Sequence, residues 1–266
     1  MQYVGKLHLV AIGGLDPSGG AGIVRDALAA RALGCEFRLV GTAWAEQSAG
    51  HGVQAINARP RGEVSRAIEL ALQGAPPGRT GVKIGMVVNA AMVTSVAAAL
   101  ADFAGPVVFD PVLGASAGGA LFDPSGMGLW EALRPLAARC SVLTPNAHEA
   151  AELCGLPVTN SAEAERAATL MVERGAQAVV VKGGHVGGDT AADVLLHGGR
   201  FTTLTTPRLP GPSVRGTGCA HSASLALFLA GGASMEDACA AAQTHVANAL
   251  RGAVATNGQW HLGHTS

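Results

Sequence analysis

Aromatic residues are few in this chain, at 4% of 266 residues. Ala, Val, Leu and Gly dominate instead, a composition that suits parallel strands covered by close-packed helices. Net charge is equally scarce: 18 Lys and Arg against 19 Asp and Glu leave −1 at neutral pH, which argues against a nucleic-acid partner. The five cysteines, Cys35, Cys140, Cys154, Cys219 and Cys239, are odd in number, widely spaced and without a C-x-x-C pair. No secretory disulfide framework is expected, and a reducing cytoplasm fits best. No uninterrupted apolar run reaches membrane-spanning length, and residues 1–6 do not open a basic-then-apolar leader, so no membrane partner is expected. No Pro/Gly/Ser-rich linker, internal repeat or low-complexity segment divides the chain. A single domain over residues 1–266 is expected, and a hydrophobic content of 48% is enough for a sizeable core.

What the chain has is a persistent alternation of short apolar runs and helical stretches. Residues 7–12 read as a buried strand closed by Gly13-Gly14, and a glycine-rich loop then leads into a helix over about 20–33. That loop is not a Walker loop: Gly14 and Gly19 have the spacing, but Gly20-Ala21 stand where Lys and Ser or Thr should be. Asp16 reads as a turn or cap residue, and Asp26 as a solvated charge one turn into the helix. Residues 36–43 form a second strand, 44–52 a polar loop, and 53–59 a short strand lying off the main sheet as a partial lid. Helices are expected at 61–72, 89–104 with Asn89 as cap, 123–138, 162–175 and 235–251. Strands are expected at 81–86, 107–110, 141–144 and 178–185, with a hairpin of 192–197 and 200–206 about Gly198-Gly199. The tail 252–266 is poorly patterned and is expected to fray. Together these predict an α/β fold: a doubly wound, mostly parallel central sheet, helices on both faces and a small β lid.

The chemistry is expected at Gly216-Thr217-Gly218-Cys219, which opens a helix ending in Gly231-Gly232. The first amides of a helix have no partner within it and carry the positive end of its dipole. Glycines there let an anion approach the backbone. A helix start also lowers a thiol pKa, which would suit Cys219 as a proton acceptor. The competing reading is a small core cysteine that packs the helix start. Lys83, inside an apolar strand, is expected to be structural. So are His148, His185 and His221, which lack metal-ligand spacing. Asp110 ends its strand and could serve a site or only cap the strand end.

Several segments agree in kind and order: Asp16-Pro17-Ser18-Gly19-Gly20-Ala21-Gly22-Ile23, Lys83-Ile84-Gly85-Met86, Asp110-Pro111-Val112, Thr144-Pro145-Asn146-x-x-Glu149, and Val181-Lys182-Gly183-Gly184-His185 followed by Gly216-Thr217-Gly218-Cys219. Together they resemble the hydroxymethylpyrimidine/phosphomethylpyrimidine kinases of thiamin biosynthesis, within the ribokinase-like superfamily. The resemblance implies an ATP-dependent enzyme, with Mg²⁺, that phosphorylates a small pyrimidine on its hydroxymethyl oxygen and then on that phosphate. It implies a pyrimidine pocket at Ala21, Asp26, Gln47, Met86 and Val112. It implies an anion hole at Gly216, Thr217 and Gly218, with Cys219 where sugar kinases of the superfamily carry a catalytic Asp. It implies a nucleotide side at Asn146, Glu149, Lys182, Thr217 and Gly218, metal contacts from Glu149 and Asp110, and a homodimer. Two stretches depart from the family pattern. Residues 45–52 carry one residue more than usual, and Ala117-Gly118-Gly119 replaces a more polar sequence.

In chemical terms Lys182 would bring positive charge to the phosphates and Cys219 would take the hydroxyl proton. The second acceptor is already anionic and needs no base, and a thiol repels it less than a carboxylate would. Asp26 and Gln47 suit an aminopyrimidine edge, and Met86 and Val112 its faces. Two other functions fit the residues: a pyridoxal or pyridoxine kinase of the same superfamily, and a non-catalytic pyrimidine-binding protein.

Overall fold

The computed structural model describes residues 6–48, 52–76, 78–114, 119–183, 190–209, 211, 214–256 and 259–263. Its first half contains β1 (His8–Leu15), α1 (Gly22–Ala32), β2 (Glu36–Ser48), β3 (Gly52–Ala58), α2 (Arg61–Leu72), β4 (Thr80–Ile84), α3 (Ala90–Ala99) and β5 (Val107–Phe109). There follow α4 (Leu129–Arg139), β6 (Val142–Leu143), α5 (Ala147–Cys154), α6 (Ser161–Glu173), β7 (Ala178–Val181) and the pair β8 (Thr190–His197) and β9 (Arg200–Pro207). The chain then continues through α7 (Thr217–Ala230), α8 (Met235–Arg251), β10 (Val254–Thr256) and β11 (Gln259–His261).

The central sheet has nine strands in the order β3-β2-β1-β4-β5-β6-β7-β8-β9. Strands β2, β1, β4, β5, β6 and β7 run parallel, and β3, β8 and β9 are antiparallel additions at the two edges. Because the chain moves from β1 to β2 on one side and later to β4 on the other, the carboxyl ends of β1 and β4 form a topological switch point. Such a switch point is where open α/β sheets place ligands.

Side-chain alternation along the strands divides the core. Val10, Ile12, Val82 and Ile84 face a large branched cluster with Ile68, Val93, Leu133, Leu136 and Met171 from α2, α3, α4 and α6. Leu9 and Ala11 face a second cluster built largely of alanines, with Ala29 and Ala30 of α1, Ala223 and Ala226 of α7, and Ala242 of α8. Small residues let these helices lie close to the sheet. At Gly81 a Cβ would stand only 2.3 Å from the Ala226 carbonyl oxygen, so β4 and α7 meet nearly backbone to backbone. That contact carries the start of α7 to the strand ends.

The doubly wound sheet, the hairpin at Gly198-Gly199 and the Asn89 cap are found as expected, and Asn89 accepts a bond from Met92 N at 2.9 Å. Other expectations are corrected. Residues 44–48 are not loop: β2 continues through Ser48, and its last residues pair with β3. The lid is therefore an extension of the main sheet rather than a piece lying off it. The helix expected from 123 starts at Leu129, because Asp123 turns the chain by accepting from Ser125 N at 2.7 Å, with positive φ at Ser125 and Gly126. In the described tail residues, 252–256 and 259–263, the expected fraying is not found. Strands β10 and β11 pair, Leu262 is buried, and Arg215 N donates to Trp260 O. Among the described residues no helix is long and apolar enough to cross a membrane.

Candidate active site

Helix α7 begins after Gly216, whose φ of +83° belongs to the left-handed region that favours glycine. A Cβ at Gly216 would also lie 2.3 Å from Gly20 O, so the first and last glycine loops are pressed together. Two more contacts tie them. Arg215 donates to Asp16 Oδ2 at 3.2 Å, and the Gly22 amide donates to the Cys219 sulfur. Asp16 is buried and also accepts from Ser18 N at 2.9 Å through Oδ1. It is thus a turn residue, as expected, and in addition an anchor for the loop before α7. The α1 side is held from below by Arg25, a buried guanidinium that donates to Gly19 O and Leu262 O.

The start of α7 faces an ion pair. Lys182 Nζ lies 2.7 Å from Asp110 Oδ1, and a Cβ at Gly218 would lie 3.2 Å from that nitrogen and 3.7 Å from Asp110 Oδ2. Asp110 also accepts from Ser222 Oγ at 3.3 Å. Burial raises its pKa, but Lys182 and Lys83 outweigh burial and hold it below the ordinary carboxylate value. On the other side of Lys182, Asn146 and Glu149 form a reciprocal capping box at the start of α5. Asn146 N donates to Glu149 Oε2 at 2.7 Å, and Glu149 N donates to Asn146 Oδ1 at 2.9 Å. Burial pushes the Glu149 carboxyl up to about 7, against the pull of Lys182.

Cys219 corrects an expectation. Its thiol is not lowered by the helix start; enclosure raises it to about 11, although Lys83 and the Gly22 amide pull the other way. Desolvation of a thiolate here exceeds what one helix end and one ammonium return. Asp26 corrects another. It is not solvated but fully buried, with Oδ2 at 2.9 Å from Lys83 Nζ. Lys83 is buried as well. The signal for Asp26 was present in the sequence. Ile23, Asp26, Ala27 and Ala30 share one face of α1 at helical spacing, and the residues around Asp26 on that face are apolar.

The remaining candidates divide. Ala21 is the N-cap of α1 and offers no side-chain cap. Met86 is buried beyond β4 and packs against the end of β1, its sulfur 2.6 Å from where Gly14 would carry a Cβ. Val112 is half-buried against the larger core cluster. Gln47 lies on β2, and its side chain is outside the described residues, as are His185 and Ala117-Gly118. His148 is exposed beside Glu152, and His221 is buried in α7. The structure thus brings Gly218, Lys182, Asp110, Asn146 and Glu149 together, with Cys219, Asp26 and Lys83 adjoining. Sequence reasoning missed the Asp16–Arg215 tether, the Arg25 brace and the Asp110–Ser222 bond.

The family model for phosphomethylpyrimidine kinase matches residues 16–264. The hydroxymethylpyrimidine/phosphomethylpyrimidine kinase of Rhizobium meliloti is 35% identical over 246 residues, covering 92% of this chain and 90% of that protein. The thiamine biosynthesis bifunctional protein ThiED of Geobacter sulfurreducens is 32% identical over 91% of this chain, which spans 49% of that longer protein. Among solved structures, the pyridoxal kinase of Staphylococcus aureus in complex with AMP-PCP and pyridoxal superposes with a TM-score of 0.86 at 26% identity, covering 98% of this chain and 94% of that one.

Proposed function

This chain belongs to the phosphomethylpyrimidine kinase family, and on that premise we propose that it phosphorylates hydroxymethylpyrimidine and then its monophosphate, with ATP as donor. The observation that carries the reading is the uncapped start of α7 opposite the Lys182–Asp110 pair. Phosphoryl transfer needs positioning and charge stabilisation more than covalent chemistry. Amides of Gly218 and Cys219 receive the transferred group, and Lys182 neutralises the phosphate oxygens. The kinase unit is taken to be residues 1–266, acting as a homodimer.

In the first step the hydroxymethyl oxygen bonds to the γ-phosphorus as the bridging P–O bond to ADP breaks, and the hydroxyl proton goes to Cys219. With its thiol held up at about 11, Cys219 acts in a minor thiolate form that Lys83 and the Gly22 amide stabilise. In the second step the acceptor is an ionised phosphate, so no base is required. Asp26, Gln47, Ala21, Met86 and Val112 are assigned to the pyrimidine, and Asn146 with Lys182, Thr217 and Gly218 to the nucleotide.

The residues fit Mg²⁺. Asp110 and Glu149 are two buried carboxylates on either side of Lys182, and burial holds Glu149 high although Lys182 pulls it down. Among the described residues no group of three or more His, Cys, Asp or Glu forms a metal cage. A hard cation completed by waters and phosphate oxygens suits such a donor pair. Asp110 and Glu149 would hold it, and it would supply neutralisation of phosphate charge.

The likeness to a pyridoxal-bound kinase supports a second reading, in which pyridoxal is the acceptor. Measuring ADP release with hydroxymethylpyrimidine, its monophosphate and pyridoxal decides. Turnover of both pyrimidines is expected, and a clear preference for pyridoxal would overturn the assignment. No acceptor-dependent release would leave only a binding protein.

A further inference from the structure

The Asp26–Lys83 pair is costly as a structural device. Both side chains are fully buried, Lys83 at 1% and Asp26 at 0% exposure. Apolar side chains of the same volume commonly stabilise a core as well or better. The pair is also incomplete: Lys83 Nζ donates to Oδ2, whereas Oδ1 of Asp26 is closed off from solvent and has no hydrogen-bond partner. A buried acceptor without a donor calls for an explanation, and a ligand that brings the missing donor is one. The location agrees. Asp26 is on the first turns of α1, and Lys83 is the residue before the last of β4, at the switch point between β1 and β4. Lys83 Nζ lies 2.9 Å from where Gly85 would carry a Cβ, so the bare glycine leaves room for it.

We propose that Lys83 is a positioning residue for substrate recognition: by holding Oδ2 it fixes Asp26 as a carboxylate whose Oδ1 accepts the exocyclic amine of an aminopyrimidine. The inference rests on the reading that Asp26 lines the pyrimidine pocket. The charged and titratable groups facing Asp26 are Lys83 from β4, Asp110 beyond β5, Cys219 from α7 and Arg25 of its own helix. Burial raises Asp26 to about 6, and Lys83 is the strongest influence holding it down. Burial pulls the ammonium down as well, but Asp26, Cys219 and Asp110 together return more, so Lys83 stays charged. Without Lys83, Asp26 takes up a proton near neutral pH and its charge toward the amine is lost.

The test compares hydroxymethylpyrimidine with the analogue that carries hydrogen in place of the exocyclic amine, between pH 6 and 9. The wild type is expected to favour the amine in kcat/KM by about ten- to hundredfold. Lys83→Met is expected to lose most of that preference at pH 7 through the KM for the pyrimidine and to recover it as the pH is raised, while the kcat lost with the Cys219 thiolate falls alike on both acceptors. Lys83→Gln, which keeps a donor for Oδ2 and so the packing, should show the same displaced pH profile. Lys83→Arg, which keeps the charge, should retain the preference. A folded Lys83→Met or Lys83→Gln with the full wild-type preference at pH 7 overturns the positioning role. A wild type without the preference instead removes Asp26 from the pocket and overturns the reading beneath it.

Discussion

Helices α5 and α7 both start beside Lys182, and they treat their free amides in opposite ways. At α5 the sequence closes its own helix end: Asn146 and Glu149 bond to each other's backbone amides. At α7 the N-cap is a glycine with positive φ and no side chain reaches back. Other helices side with α5. Asn89, Asn160 and Ser234 cap α3, α6 and α8, and α2 and α4 place Glu63 and Glu131 in their first turns. Among the described helices only α1 and α7 have neither a capping side chain nor an acidic first turn, and these two meet through the Gly22–Cys219 contact. A helix end supplied with its own oxygen has no need of an anion, whereas an open one keeps its amides and dipole for a ligand.

The comparison breaks most directly at Gly216. An alanine there would be strained by the positive φ and driven against Gly20 O, displacing the loop before α7. Turnover of both phosphorylations should fall about 10²–10³-fold, the loss typical when one preorganised donor is removed. Normal turnover on protein shown to be folded by circular dichroism would mean that the open end is not the cradle.

Cys219→Ala sharpens it by leaving the amides in place and removing only the thiol. The first phosphorylation should lose about tenfold or more at pH 8, less than the usual range for a well-matched base because the thiolate is rare. The second should change less than about twofold. First-step turnover of the wild type should also climb with pH beyond neutrality, toward the thiol's value of about 11. Equal losses on both steps would assign Cys219 to cradle packing.

On the closed side, Glu149→Gln keeps the capping geometry, since a glutamine oxygen can accept from Asn146 N. The Glu149 carboxyl moves from 4.5 to about 7 on folding, so between those values the folded state holds more protons than the unfolded state. Stability of the ligand-free wild type therefore falls as pH rises through that window. The glutamine variant lacks this slope and should melt about 2–4 °C higher than wild type at pH 8, with the gain gone at pH 4. Parallel melting curves against pH would remove the buried charge from the account.

The smallest effect belongs to a cap far from the chemistry. Asn160→Ala removes the oxygen that accepts from Glu163 N at 3.0 Å and should cost about 1 kcal/mol of stability. Its turnover should match the wild type, and a loss there would deny that capped and open ends divide the work.

Much of the site was legible because its signals are local. A glycine before an Ala- and Leu-rich run marks the start of α7, whereas Asn146 and Glu149 were reached through the family resemblance and their capping box only through the structure. The polar loop expected after Trp44 failed because pairing with β3 extends β2, a partnership that side-chain polarity does not reveal. The tail was misread for the same reason: β10 and β11 are ordered by each other and by Arg215.

By itself the sequence determined the alternation of strands and helices up to the end of α8 and the glycine positions at the strand ends. These depend on periodicity and on backbone freedom, properties of neighbours along the chain. Only the tertiary structure decided that Asp26 would be buried against Lys83, that Asp16 would hold Arg215, and that Cys219 would keep its proton. Each depends on desolvation and on charges brought from 57 or 199 residues away. Whether a carboxylate is solvated or enclosed, and which ammonium meets it, is settled only when α1, β4 and α7 converge.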